Sequence, residues 1–344
     1  MQSRERFQNN YDFLRVFAAL CIIFSHCFGL SGKFGEEPLA QFTKGTLSFS
    51  FIGLSIFFCI SGYLIAKSAN SSPTLKNYLW KRVLRIQPLL ILVCILTIFL
   101  LGPIFTNLTV GQYFLNANSW SYFRNILPVF GLQFTLPGVF VHNVSENGVN
   151  GSLWTLILEE RLYIVMVIVF LFRKQNPDFF IILIGLLNAL YLGNRFFFHG
   201  NMDPFLSDTT FFYGLLFLNS AVLYFLNINF LKSRFLLILL VIICFIMAVV
   251  FPRLDFIFLF SIPVLVNSVA KIKGFTNNAG IYGDFTYGIY VFSFPVQQMF
   301  LAAGIINENP YKLYLCTLII VVPMAFLSWN IIEKKCLGLK NLVQ

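Results

Sequence analysis

The chain has 344 residues, of which 58% are hydrophobic and 11% charged, and 43 are phenylalanine. A soluble domain carries roughly 25% charged residues. Half that supply cannot cover a water-facing surface, so a soluble fold is excluded and lipid is the expected solvent. The net charge of +10 would suggest nucleic acid in a soluble protein. Here the positive residues sit in short gaps between apolar runs, so the membrane reading takes precedence and no nucleic-acid partner is expected.

The first apolar run, 13–30, follows a short charged start with Arg4 and Arg6. It is about one bilayer thick, since a spanning helix needs ~20 residues. It is longer than a signal-peptide core and lacks a small-residue cleavage site, so it reads as a retained span. Nine further candidates follow at about 46–66, 86–106, 153–172, 179–198, 208–226, 235–251, 254–270, 285–303 and 312–332. The eighth is short and contains Pro263, and a hairpin at Phe251–Pro252 would separate it from the seventh. The expected fold is all-α: a polytopic bundle of about ten spanning helices, forming one integral-membrane domain over 1–344.

Sixteen of the 24 Lys and Arg lie in the gaps and tails that a cytosolic N-terminus would place inside. They include Arg4, Arg6, Lys76, Lys81, Arg82, Arg85, Arg173, Lys174, Lys232, Lys273, Lys334 and Lys335. Six, including Arg124, Arg195 and Arg253, lie on the other face. By the positive-inside rule both termini are cytosolic. Residues 107–152 then form a long outer segment too broken for a span. It is either a plain loop or a re-entrant piece, the latter tolerated at depth only where protein buries it.

Six of the seven cysteines lie in apolar runs and none forms a C-x-x-C pair. They read as small packing residues, not as a disulfide framework or a zinc site. His26, His142 and His199 are scattered, so no metal is expected.

Charged groups at mid-membrane cost at least ~2.5 kcal/mol and usually face the bundle interior. Arg15 and His26 are eleven residues apart, about three turns, and so share one helix face ~16 Å apart. Arg15 would sit at the cytosolic edge, where snorkelling to headgroups is the plainer role. His26 would lie in the outer half, as a base or as a hydrogen-bonded structural histidine. Glu159 is five residues past Trp154, which suits an interface. It therefore reaches a depth similar to that of His26. A carboxylate that stabilises charged imidazole is a standard base assembly. The plainer reading pairs Glu159 or Glu160 with Arg161. Arg82 and Arg85 share a face at the entry to the third run. They suit phosphate, or serve only as topology charges. Ser61-Gly62-Tyr63 suits close helix packing.

Taken in order, these segments resemble the acyltransferase family 3 integral-membrane O-acyltransferases, which acetylate O-antigen, exopolysaccharide and nodulation factors. Arg15 and His26 match the family's Arg-x10-His. Phe57-Phe58-Cys59-Ile60-Ser61-Gly62-Tyr63-Leu64-Ile65 and Arg82-Val83-Leu84-Arg85-Ile86-Gln87-Pro88 match two further motifs. Leu136-Pro137-Gly138-Val139-Phe140, then Asn150-Gly151-Ser152-Leu153-Trp154-Thr155-Leu156 and Glu159, form its most distinctive stretch. Tyr287-Gly288-Ile289-Tyr290 and Pro295 match its late span. Many relatives carry His where Ser293 stands, so Ser293 receives no catalytic role. The chain ends at Gln344, as in the form without an esterase-like domain.

The resemblance implies acetyl-CoA or another acyl-CoA as donor. The acceptor would be a glycan or lipid-linked saccharide, and the site the bacterial inner membrane. His26 and Glu159 would be catalytic. Arg15, Arg82 and Arg85 would bind the donor, and Ser61, Tyr63, Trp154 and Tyr290 are further pocket candidates. A flippase of lipid-linked sugars and a membrane scaffold without chemistry are the rival readings.

Overall fold

Apolar runs of bilayer length leave the backbone only its own groups to bond, so helices are the physical expectation. The computed structural model describes residues 9–144, 148–172, 177–197, 209–227, 233–272, 279–281, 283–306 and 308–343. Arg4, Arg6, Arg173, Lys174, His199, Lys232 and Lys273 lie outside these, as does the side chain of Arg253. Ten helices coincide with the ten apolar runs. They are α1 (Tyr11–Leu30), α2 (Phe49–Ser71), α3 (Leu75–Phe105), α4 (Trp154–Phe172), α5 (Pro177–Phe197), α6 (Thr209–Phe225), α7 (Arg234–Val250), α8 (Phe258–Ala270), α9 (Thr286–Ala302) and α10 (Pro310–Ser328). Among the described residues there is no strand, only two isolated bridges, Thr106 to Val139 and Thr135 to Gly148. By length and composition α1, α2, α3, α5 and α10 are long and apolar enough to cross a membrane, while α6, α7 and α8 are shorter apolar helices.

Two boundaries differ from expectation. The third helix begins at Leu75, not near 86, so Arg82 and Arg85 are helical. Hydropathy stops at charged residues, but Lys and Arg are good helix formers and do not end a helix. The link between α7 and α8 is a 3₁₀ segment, Pro252–Ile257, not a bare hairpin.

The chain forms two compact units. One comprises residues 1–18, 38–75 and 162–282; the other comprises 19–37, 76–161 and 283–344. In the first, Gly62 of α2 lies under the Phe217 carbonyl of α6. A Cβ there would stand 2.0 Å from that oxygen, so only glycine permits the approach. Close packing is therefore the structural role of the Ser61-Gly62 step. A polar chain runs through the same unit. The Tyr11 hydroxyl donates to Asn267 Oδ1 (3.0 Å), Asn267 Nδ2 to Ser220 Oγ (2.8 Å), and Ser220 Oγ to the Cys59 carbonyl (2.6 Å).

In the second unit the 107–152 segment is a folded piece and not a loose loop. Its residues Tyr113, Tyr122, Leu136, Val139, Phe140 and Val149 form one buried cluster with Cys94, Ile98 and Leu101 of α3. Part of its irregular backbone is satisfied by its own side chains, as burial requires. Asn125 Nδ2 donates to the Gln133 carbonyl and the Gln133 N–H donates to Asn125 Oδ1, both at 2.8 Å.

Candidate active site

The contacts among His26, Arg85, the start of α4 and α9 lie within the second unit. The organising element is α9. Asp284 just before it, then Tyr287, Tyr290 with Val291, Phe294, and Gln297 with Gln298 recur every three or four residues, so they share one face. That face carries the candidate residues in two groups.

The first group surrounds Tyr287. Arg85 Nη2 bonds Asp284 Oδ2 at 2.7 Å, and Thr286 Oγ1 donates to Asp284 Oδ1 at 2.6 Å. The Arg85 guanidinium also lies 6.0 Å from the Tyr287 ring centroid, within cation–π range. Tyr287 donates its hydroxyl to the Ile86 carbonyl at 3.2 Å, and sits within electrostatic range of Glu159, Glu160, Glu333 and Arg85. Arg82, one turn earlier, stacks on Tyr78 at 5.9 Å. Sequence reasoning missed Asp284 and Glu333. The available signal was an acidic residue at the entry of a polar-faced helix, and a lone carboxylate, Glu333, ending an apolar run.

The second group surrounds Phe294. The His26 imidazole meets the Phe294 ring edge-on, with centroids 5.5 Å apart. On its other contact the same ring lies over Gly151, where a Cβ would stand 2.7 Å from Phe294 Cζ. Phe294 therefore touches both the base candidate and the turn that starts α4. That turn is pinned to α9 by three bonds. Tyr290 donates to the Ser152 carbonyl (2.7 Å), shares a 2.7 Å bond with Thr155 Oγ1, and the next residue, Val291, accepts from Asn150 Nδ2 at 3.0 Å. Gln297 Nε2 holds α1 from the other side, donating to the Ile23 carbonyl and to Cys27 Sγ, both at 3.0 Å. Tyr290 is thus a buried structural clamp, and Trp154 is half-buried at the start of α4. Ser293 donates to the Tyr290 carbonyl at 2.9 Å.

His26 Nδ1 is buried and has no hydrogen-bond partner among the described residues, Glu159 included. Glu159 is half-buried on the first turns of α4. Its neighbour Glu160 does not pair with Arg161. Adjacent residues point about 100° apart round a helix, and Arg161 is exposed. Glu160 Oε1 instead accepts from Gln87 Nε2, and Oε2 accepts from the Val129 N–H, both at 2.7 Å. The 107–152 segment therefore folds back beside the second turn of α4.

Arg15, Ser61 and Tyr63 belong to the first unit. Arg15 lies 3.5 Å from Asp12. Tyr63 stacks on Tyr11 at 6.0 Å and lies beneath the Lys271 ammonium at 4.8 Å. Burial, with repulsion from Lys67, holds Lys271 below the ordinary lysine range.

The Glu160 contacts predict a stability phenotype. Glu160→Ala leaves two part-buried donors without an acceptor, at about 1 kcal/mol each, whereas Glu160→Gln keeps one carbonyl acceptor. The alanine variant is expected to melt clearly lower in detergent, with glutamine in between. An unchanged melting temperature for the alanine variant would remove Glu160 from the scaffold.

A family model described as an acyltransferase domain matches residues 8–332. An O-acetyl transferase of Shigella phage Sf6 is 29% identical over 335 residues, 96% of each chain. Nodulation protein 10 of Rhizobium leguminosarum bv. viciae is 26% identical, covering 97% of this chain and 94% of its own. The peptidoglycan O-acetyltransferase OatA of Listeria monocytogenes is 30% identical over 163 residues, 41% of this chain and 24% of its own. No solved structure matches. With the ordered motifs now placed along α1, α3, α4 and α9, the chain belongs to the acyltransferase family 3 and is an integral-membrane O-acyltransferase.

Proposed function

We propose that the protein transfers an acyl group, acetyl in the first instance, from cytosolic acyl-CoA to a hydroxyl of a cell-surface or lipid-linked glycan. The observation that carries this reading is the polar face of α9. One end meets the guanidinium of Arg85, suited to phosphate, and the other meets the imidazole of His26. Tyr287 and Phe294 are seven residues apart, about 10 Å along the axis. An extended thioester arm anchored at the first could present its carbonyl near the second.

In this mechanism His26 accepts the proton of the acceptor hydroxyl through a nitrogen that no protein group occupies. The oxygen attacks the thioester carbonyl, the carbon–sulfur bond breaks, and the imidazolium returns its proton to the leaving thiolate. Glu159 supplies negative charge that offsets the imidazolium. Arg82 and Arg85 hold the CoA phosphates. By its motif, Arg15 is a further donor cation.

The same reading sets the chain in a bacterial cytoplasmic membrane with ten spans and both termini cytosolic, supported by the charge bias. Exposed positions on the two expected sides are Ser71 and Asn118. A membrane-impermeant thiol reagent applied outside should label Asn118→Cys and spare Ser71→Cys. Equal labelling would overturn this topology.

For the base, general base catalysis contributes about 10²–10⁴-fold. His26→Ala should lower transfer by that factor with insertion intact, and Glu159→Gln should also lower it. If the two act as one unit, the double variant should be little worse than His26→Ala. Full activity in well-inserted His26→Ala protein would rule out the mechanism.

For the donor, Arg82→Gln with Arg85→Gln should raise the KM for acetyl-CoA about tenfold or more, since charge-assisted bonds contribute about 1.5–3 kcal/mol each. The acceptor KM should stay close to wild type. Unchanged donor affinity would leave both arginines as topology charges.

A further inference from the structure

Beyond His26 and Phe294, at the far ends of the helices that carry them, the second unit contains a cavity of about 360 Å³. Leu30, four residues past His26 on α1, and Leu301, seven past Phe294 on α9, form part of its wall. His142, Asn143, Val144 and Glu308 also line it. The helical rise sets Leu30 about 6 Å and Leu301 about 10 Å outward of those two rings. The cavity therefore opens on the side of the imidazole away from Arg85.

The lining combines apolar side chains with an imidazole, a carboxamide and a carboxylate. A pyranose ring has the same two characters, with C–H faces and a rim of hydroxyls. Of the polar groups, Asn143 is fixed in place, while His142 and Glu308 are exposed at the cavity wall. Asn143 Nδ2 donates to the Gln298 carbonyl (3.0 Å) and to Gln298 Oε1 (2.9 Å), and Gln298 Nε2 donates to the Gly148 carbonyl (2.6 Å). The backbone of Glu308, at φ +48°, lies directly before the Asn309 cap of α10, which sets where its side chain leaves the chain. The preference for a few placed polar groups in a ligand-sized cleft is general.

We propose that this cavity is a saccharide subsite for the acceptor, with the Glu308 carboxylate and His142 bonding hydroxyls of an uncharged sugar. The assignment rests on the reading of a glycan acceptor. It adds a selectivity: the carboxylate favours neutral sugars and repels those bearing a carboxylate of their own.

Binding separates this inference from catalysis. The full-length protein in detergent would be titrated with the methyl α-glycosides of glucose, galactose and mannose, and with methyl α-D-glucuronoside, by saturation-transfer difference NMR. At least one neutral glycoside should bind, and the glucuronoside more weakly. His142→Ala and Glu308→Gln should each weaken the neutral ligand about tenfold, the scale of a charge-assisted bond. Glu308→Gln should also narrow the gap between neutral and charged sugars. Glu308 is exposed and its replacement conservative, so that variant should fold, as its melting temperature would verify. Absence of binding by every neutral glycoside, or unchanged selectivity in folded Glu308→Gln, would overturn the subsite. Loss of glycan transfer with glycoside binding retained would count against the proposed reaction and leave the subsite standing. Glycan transfer without glycoside binding would place the acceptor elsewhere.

Discussion

A polar side chain on a helix in hydrocarbon has no water to bond, so every such group must find a protein partner or serve a ligand. In the second unit α9 supplies several of those partners. Asn150, Ser152 and Thr155 meet it at Tyr290 and Val291, Ile23 and Cys27 meet it at Gln297, and Arg85 meets it through Asp284. These bonds fix the register of α1, α3 and the start of α4 against one helix. A one-residue slip of any of them would strand several donors at about 1–3 kcal/mol each.

The pairing of Arg85 with Asp284 illustrates the same constraint at a candidate ligand site. A lone guanidinium in a low-dielectric setting would be costly, and its carboxylate partner reduces that cost while keeping the fork in one orientation. Thr286 in turn orients the carboxylate. An incoming phosphate would thus meet a pre-positioned cation, at the expense of competing with Asp284. His26 presents the converse. Its Nδ1 is buried and unpartnered, a state that a purely structural histidine rarely retains. In the proposed mechanism, that open nitrogen is where the proton of the acceptor hydroxyl would arrive.

Glu160 marks where local reading of the sequence was misled. Two adjacent carboxylates followed by an arginine suggested a local ion pair. The helix instead turns Glu160 inward to Gln87 and the Val129 N–H, while Arg161 is exposed. The contact spans 31 and 73 residues of sequence, so no local pattern could reveal it. It also gives the Val129 region of the outer segment a defined place beside α4.

The amino-acid sequence by itself determined the membrane character, the helical class, a helix at each of the ten runs and the motif order that marks the family. These depend on composition and on short-range periodicity, which a linear chain carries in full. It also singled out His26, Glu159, Arg82 and Arg85, because charge is expensive in an apolar run and stands out there. Only the tertiary structure decided which groups meet. Phe294 lies between His26 and Gly151, Asp284 holds Arg85, and His142 and Glu308 share one cavity. Each of those contacts joins residues more than a hundred positions apart. Such pairings are set by how helices pack and which buried donors must be satisfied, and neither is encoded in any local stretch of the chain.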